Sequence, residues 1–321
     1  MYCMKETILY VVVPCYNEEA CLKETSRLLK NKLASLVKTG VISKNSKIVF
    51  VDDGSKDATW KIIEGLDGPI VGVKLAHNRG HQNALLAGLM YAKERADAII
   101  SMDADLQDDI EAMDKFLQKF REENCEIVYG VRSERKTDTA FKRNTALAFY
   151  KIMRKLGAET VYNHADYRLM SKRALDELSG YQEVNLFLRG IIPTIGLKTA
   201  EVKYVRNERF AGESKYPLKK MMGFAWDGIT SFSVKPIRII LAVGIIVSVI
   251  SLLVLLYALI VNMLGQAVSG WTFIICSIWL LGGIQMFSIG LIGEYVGKIY
   301  AETKRRPRYI IEKIVERNKP L

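Results

Sequence analysis

The chain has 321 residues and a formal net charge of +11, from 46 Lys and Arg against 35 Asp and Glu. Residues 201–240 hold eight basic against four acidic side chains and residues 302–321 seven against three, so these two flanks carry +8 of the excess. No basic strand interleaved with aromatics and no recognition-helix pattern accompanies them, which excludes a nucleic-acid binder and directs the charge at anionic lipid.

From Thr7 to Val13 the chain reads as a strand of the fully buried, parallel type, which Pro14 is expected to stop, with Asn17 capping the helix that follows. A second such run, Lys47 to Val51, ends in Asp52-Asp53-Gly54-Ser55, and a third, Ile70 to Leu75, runs into His77-Asn-Arg-Gly-His-Gln82. The fourth, Ala98 to Met102, opens into Asp103-Ala-Asp-Leu-Gln-Asp108. Helical stretches between them make βαβ units, hence a parallel sheet with a ligand crevice at the carboxyl ends of its strands. All four polar clusters fall at those ends. No Gly-x-Gly-x-x-Gly follows the first strand, so the clusters read as a site that holds a nucleotide with acids and a metal. Asp103 and Asp105 are its centre. The period of two sets them on one side of the chain, where two carboxylates repel unless a hard divalent cation, shared with phosphate oxygens, keeps both ionised.

Further along, Ala165 to Met170 reads as a short strand with Asp166 at its entrance, followed by a helix led by Ser171. Arg206 to Tyr216 gathers Arg206, Arg209, Ser214, Lys215 and a glycine into 11 residues, a candidate anion cradle, since guanidinium groups pair with phosphate oxygens two bonds at a time. The next segment places Leu218, Met221, Met222, Ala225 and Trp226 on a helix suited to the membrane interface. Ile239 to Leu264 then holds no charge over 26 positions, and Trp271 to Gly293 none over 23. About 20 apolar residues span the hydrocarbon core, so both stretches are expected to cross it. The uncharged connector 265–270 lies between basic flanks, which places both termini and the polar domain in the cytoplasm. The segment after Met1 lacks the pattern of a signal peptide. The expected divisions are thus 1–216 (catalytic), 217–237 (interfacial helices), 238–264 and 271–293 (transmembrane helices), and 294–321 (basic cytoplasmic tail). Cys3, Cys15, Cys21, Cys125 and Cys276 show no Cys-x-x-Cys spacing and read as reduced, and His77, His81 and His164 offer no zinc spacing.

Taken together, Val13-Pro-Cys-Tyr-Asn-Glu-Glu19, Val51-Asp-Asp-Gly-Ser55, Asn78-Arg-Gly-His-Gln82, Asp103-Ala-Asp-Leu-Gln-Asp108, Asp166-Tyr-Arg-Leu169, Arg206 to Tyr216 and Gly293-Glu-Tyr-Val-Gly-Lys-Ile-Tyr-Ala-Glu302 resemble the polyisoprenyl-phosphate glycosyltransferases of the GT-A, family 2 type. Bactoprenol glucosyltransferases and dolichyl-phosphate mannose synthases belong to that group. The likeness covers essentially the whole chain. It departs in one place, where Asp109 and Ile110 stand at positions that are often proline in the family. The Gln-x-x-Arg-Trp string of processive relatives is absent, which implies transfer of a single sugar.

The resemblance implies a Rossmann-like, mostly parallel GT-A domain with interfacial helices and a two-helix transmembrane hairpin. It implies inverting transfer of one hexose from a UDP-sugar, UDP-glucose or a related UDP-hexose, to polyprenyl (undecaprenyl) phosphate at the cell membrane. Pro14, Tyr16, Glu18, Asp52 and Asp53 would then hold the nucleoside, and Asn78, Arg79, Gln82 and Ala104 would complete the donor site. Asp103 and Asp105 would hold Mg²⁺ or Mn²⁺. Asp166 is the implied catalytic carboxylate beside Asp105, and Arg206, Arg209, Ser214, Lys215 and Tyr216 would receive the lipid phosphate. A phosphate monoester has its second pKa at about 6, so the acceptor is already ionised and Asp166 is expected to orient more than to deprotonate. Relatives of this type form tetramers. The alternatives are a GDP-mannose donor or, in a different class, a membrane-anchored protein that binds nucleotide sugars without catalysis.

Overall fold

In the computed structural model, residues 6–133, 164–184, 186–206, 235–264 and 270–317 are described. The chain divides into two compact units, one comprising Met1–Tyr150, Glu159–Pro217 and Arg306–Leu321, the other Lys151–Ala158 and Leu218–Arg305.

The first unit is built on one sheet. Its strands are β1 (Leu9–Cys15), β2 (Lys47–Asp52), β3 (Ile70–Leu75), β4 (Ala98–Ser101), β5 (Ile127–Arg132), β6 (His164–Ser171), β7 (Thr199–Tyr204) and β8 (Ile311–Glu316), in the order β7-β5-β6-β4-β1-β2-β3-β8. The centre, β4-β1-β2-β3, is parallel. On one side β6 runs antiparallel to β4 and β5, while β7 is parallel to β5; on the other side β8 runs antiparallel to β3. The helices are α1 (Leu22–Lys38), α2 (Thr59–Gly65), α3 (His81–Lys93), α4 (Ala112–Glu122), α5 (Lys172–Ser179) and α6 (Leu188–Thr194).

The central strands are dominated by apolar residues, as buried parallel strands are, and β1 is buried along its whole length. On α1, Leu22, Leu29, Leu33 and Leu36 recur at helical spacing and enter the core with Phe50 and Phe116. Lys32, on the same helix, reaches Glu111 and Asp114 at 2.6 Å each and ties α1 to the start of α4. Gly88 lets α3 lie directly on the sheet, since a Cβ there would stand 2.4 Å from Val12 and 2.7 Å from Val51.

Two local expectations fail. The strand runs one residue past Pro14, which pairs with Val51, because a proline removes only one donor and is tolerated near a strand end. Asn17 does not cap α1: helix α1 begins at Leu22, where the N-cap residue Cys21 makes no side-chain cap bond. Asn17 instead takes a left-handed turn (φ 55°), which asparagine tolerates, and its Oδ1 accepts from the Lys56 amide at 2.9 Å. Ser171 does cap α5 as expected, its Oγ accepting from the Ala174 amide at 2.9 Å.

Within the second unit are α7 (Lys235–Met263) and α8 (Trp271–Thr303). Leu253, Tyr257, Phe287 and Ile289 are each 60% or more exposed. Among the described residues, Leu280–Thr303 is long and apolar enough to cross a membrane, and Ile237–Val247 is a shorter apolar stretch. The expected interfacial segment lies largely in 207–234, outside the described residues.

Candidate active site

Because β4, β1, β2 and β3 are parallel, their carboxyl ends deliver four loops to one edge of the sheet. The first two are knitted together. The amides of Asn17 and Glu18 donate to Ser55 Oγ (3.0 Å) and Thr59 Oγ1 (2.9 Å), and the Ala58 amide donates to Glu19 (2.9 Å). Pro14 is buried at the end of β1 and Tyr16 is 36% exposed just beyond it. Asp52, at the end of β2, is fully buried: its Oδ1 accepts from the Ser55 amide at 3.2 Å, while its Oδ2 has no hydrogen-bond partner among the described residues. Burial pushes this carboxyl above its ordinary pKa. A buried acceptor without a donor is costly, and it marks a position where a ligand N–H or O–H would be satisfied.

Asp53 serves the third loop. Its two oxygens accept from the amides of Arg79 (2.7 Å) and Gly80 (2.9 Å), just before α3 starts at His81. Gly54 makes this approach possible: its φ is +67°, and a Cβ would lie 2.6 Å from the Asn78 amide nitrogen. Asn78 and Arg79 are exposed on that loop, and Gln82 points from the first turn of α3 toward β6.

The fourth loop is a tight acidic turn. Asp103 is half-buried and Asp105 buried, with Asp105 Oδ1 accepting from the Gln107 amide at 3.2 Å and Leu106 in the left-handed region. The Ala104 carbonyl is held by Thr25 Oγ1 at 2.8 Å. Asp108 closes the turn, receiving the Asp103 amide at 3.4 Å and the Tyr204 hydroxyl at 2.6 Å, with Arg132 3.8 Å away. Burial, and then the charge of Asp103, push Asp108 up to about 6. Among the described residues no group of three or more His, Cys, Asp or Glu could hold a metal by itself. Two carboxylates on one turn are nevertheless hard oxygen donors, suited to a hard cation that takes its other oxygens from phosphate. Arg206 donates to Gln107 and so joins the basic segment to this turn; Arg209, Ser214, Lys215 and Tyr216 lie outside the described residues.

Asp166 sits at the focus of a different set. It is 3% exposed, and its carboxylate accepts from Arg168, from Arg189 (2.9 Å to Oδ2, 3.3 Å to Oδ1) and from Gln82 (3.4 Å), with His81 Nε2 at 3.5 Å. The same His81 nitrogen lies 3.7 Å from Asp103 and so connects the two acidic centres. Burial alone would raise Asp166, but the charge of Arg189, the His81 hydrogen bond and the charge of Arg168 outweigh it and hold the carboxyl well below its usual range. Arg168, Arg189 and Arg132 carry none of the roles expected from sequence. A signal existed for Arg168, two residues from Asp166 and therefore on the same face of its strand. None existed for Arg189, 23 residues away on a short helix.

A family model described as glycosyl transferase family 2 matches residues 10–179. The chain is 55% identical over 310 residues to the uncharacterised glycosyltransferase YkoT of Bacillus subtilis, covering 96% of this chain and 92% of the relative. It is 39% identical over 309 residues to the prophage bactoprenol glucosyl transferase homolog of Escherichia coli, covering 95% and 98%. It is 39% identical over 308 residues to the bactoprenol glucosyl transferase of Shigella phage SfII, covering 94% and 97%.

Proposed function

The chain belongs to glycosyl transferase family 2 and is a glycosyltransferase, and from that premise we propose that it transfers a single hexose from a UDP-sugar to a polyprenyl phosphate at the membrane surface. The observation that carries this reading is the 39% identity to bactoprenol glucosyl transferases across almost the whole of both chains, apolar helices included. A membrane-anchored protein that binds nucleotide sugars without transfer would keep Asp52 and Asp53 but would need neither Asp166 nor the basic string beside the membrane.

In this reading Pro14, Tyr16, Glu18 and the buried, half-satisfied Asp52 receive the nucleoside, and Asp53 holds the Asn78–Gln82 loop over the donor. Asp103 and Asp105 would hold Mg²⁺ or Mn²⁺, which would neutralise charge developing on the leaving diphosphate. The acceptor phosphate oxygen forms its bond to the anomeric carbon as the bond from that carbon to the diphosphate oxygen breaks. UDP leaves with the electron pair and the configuration inverts. No proton need be removed, because the phosphate arrives ionised. A carboxylate held as low as Asp166 is a poor base, which supports an orienting role for it. Arg206, with Arg209, Ser214, Lys215 and Tyr216, receives the lipid phosphate.

The membrane assignment draws support from chain connectivity. The polypeptide leaves the first unit after Pro217 and rejoins it at Arg306, where β8 completes the same sheet that β1 began. An insertion of this kind, if it enters a bilayer, must cross it an even number of times, which the proposed hairpin of 238–264 and 271–293 satisfies. Incubating the full-length protein with UDP-[¹⁴C]glucose, a divalent cation and polyprenyl phosphate tests the proposal: label should move into the organic phase with one UDP released per sugar. Nucleotide binding without transfer would favour the non-catalytic alternative.

A further inference from the structure

We propose that Arg189 is a substrate-facing residue of this site, contacting phosphoryl oxygens of the donor diphosphate or of the acceptor phosphate, and that buried Asp166 acts through it. This rests on the glycosyl-transfer reading above and reverses the roles that reading would assign from sequence alone. The Asp166 side chain is 4% exposed and Arg168 1%, so both are sealed within the sheet, whereas the Arg189 side chain is 38% exposed. A ligand arriving at this focus meets Arg189 and His81 before it meets the carboxylate. Asp166 engages Arg189 through both of its oxygens, which fixes the plane of the guanidinium. Arginine presents its N–H groups in a rigid fork, and the bonds from Nε and Nη2 to Asp166 set the direction in which that fork faces the opening of the site.

The fork is also anchored through the backbone. Gln82 donates to Asp166 from its Nε2, while its Oε1 accepts from the Leu188 amide at 3.1 Å, the residue before Arg189 and the first of α6. One side chain at the head of α3 thus sets both the carboxylate and the helix start that carries the cation. Arg308 secures the loop before α6 by donating to the Tyr181 carbonyl at 3.0 Å. A guanidinium so braced loses little freedom on binding an anion, the condition under which a charge-assisted bond contributes most.

The test uses full-length protein in detergent or nanodiscs with Arg189→Ala, Arg189→Gln, Arg189→Lys and Asp166→Asn. UDP and uridine affinities are read by calorimetry, and the acceptor KM from label transfer. If the oxygens belong to the donor, the Arg189→Gln variant should bind UDP about ten-fold or more weakly with uridine unaffected, the scale of one charge-assisted hydrogen bond. If they belong to the acceptor, UDP affinity should hold and the acceptor KM should rise by that factor. Arg189→Lys should recover part of either loss. Should both affinities stay at wild-type values while kcat falls as far as in Asp166→Asn, Arg189 merely supports the carboxylate and the proposal is overturned. Arg189→Gln keeps size and polarity, so an Arg189→Ala variant that fails to fold does not obscure the result. Wild-type protein that bound no nucleotide would count instead against the glycosyl-transfer reading itself.

Discussion

Asp166 accepts from Arg168, Arg189 and Gln82 with His81 alongside, and this decides what its substitution does. A carboxyl held below its unfolded pKa of about 4 contributes stability above that pH, and the contribution is lost as pH falls through the lower folded value. Asp166→Asn should therefore be less stable at pH 7 by on the order of 3–5 kcal/mol, the cost of leaving buried Arg168 without its anion. Thermal melts should show the gap to wild type narrowing only below about pH 4; a gap that widens on acidification would contradict the assignment. In turnover, the pH profile should follow the second ionisation of the acceptor phosphate, near pH 6, in wild type and in whatever activity Asp166→Asn retains. A profile whose acid limb vanishes in the variant would restore the general-base role. At the acidic turn, Asp103→Asn or Asp105→Asn should reduce activity by more than the roughly 10–100-fold that loss of an outer partner costs, with unchanged melting, and EDTA should inhibit reversibly. Full activity in EDTA would remove the metal.

Among elements, the loop after β2 is the most tightly specified. Gly54→Ala would place a Cβ 2.6 Å from the Asn78 amide nitrogen at a left-handed φ, and should cost about 1–3 kcal/mol while displacing the Arg79–Gly80 amides from Asp53. Melting together with UDP calorimetry checks both effects, and a variant of wild-type stability and affinity would mean the loop can shift freely. Strands β1 to β4 were legible because, almost wholly buried, they are dominated by apolar runs, broken in β3 only by Lys74. β7 and β8 were not: β7 alternates exposed and buried residues at one edge of the sheet, and β8, Ile311-Glu-Lys-Ile-Val-Glu316, is largely exposed at the other. The latter pairs antiparallel with β3, flanked by the surface ion pairs Lys74 to Glu312 at 3.0 Å and Lys313 to Glu64 at 2.7 Å, a long-range meeting that sequence cannot show. A basic tail was the natural reading of that composition. The strand-end acids were legible for the opposite reason: topology collects them whatever the loops do. The partners of Asp166 come from α3, β6 and α6, and only folding reveals that meeting.

The proposed two-helix hairpin requires the chain to return to the side it left, and β8 does rejoin the sheet that β1 began. A cysteine at Gly270 should be labelled by an impermeant thiol reagent outside intact cells, and one at exposed Arg317 only after permeabilisation. Labelling of both from one side would break the hairpin assignment. Lipid-phosphate glycosylation is best checked by a product analysis. Membranes containing the protein are incubated with undecaprenyl phosphate and UDP-[¹⁴C]glucose, and the organic phase is examined by mass spectrometry. A single species should form, one hexose joined through phosphate to the lipid, with stoichiometric UDP, and it should be absent in Asp103→Asn. UDP released to free sugar, chains of several hexoses, or lipid labelled only from GDP-mannose would contradict it.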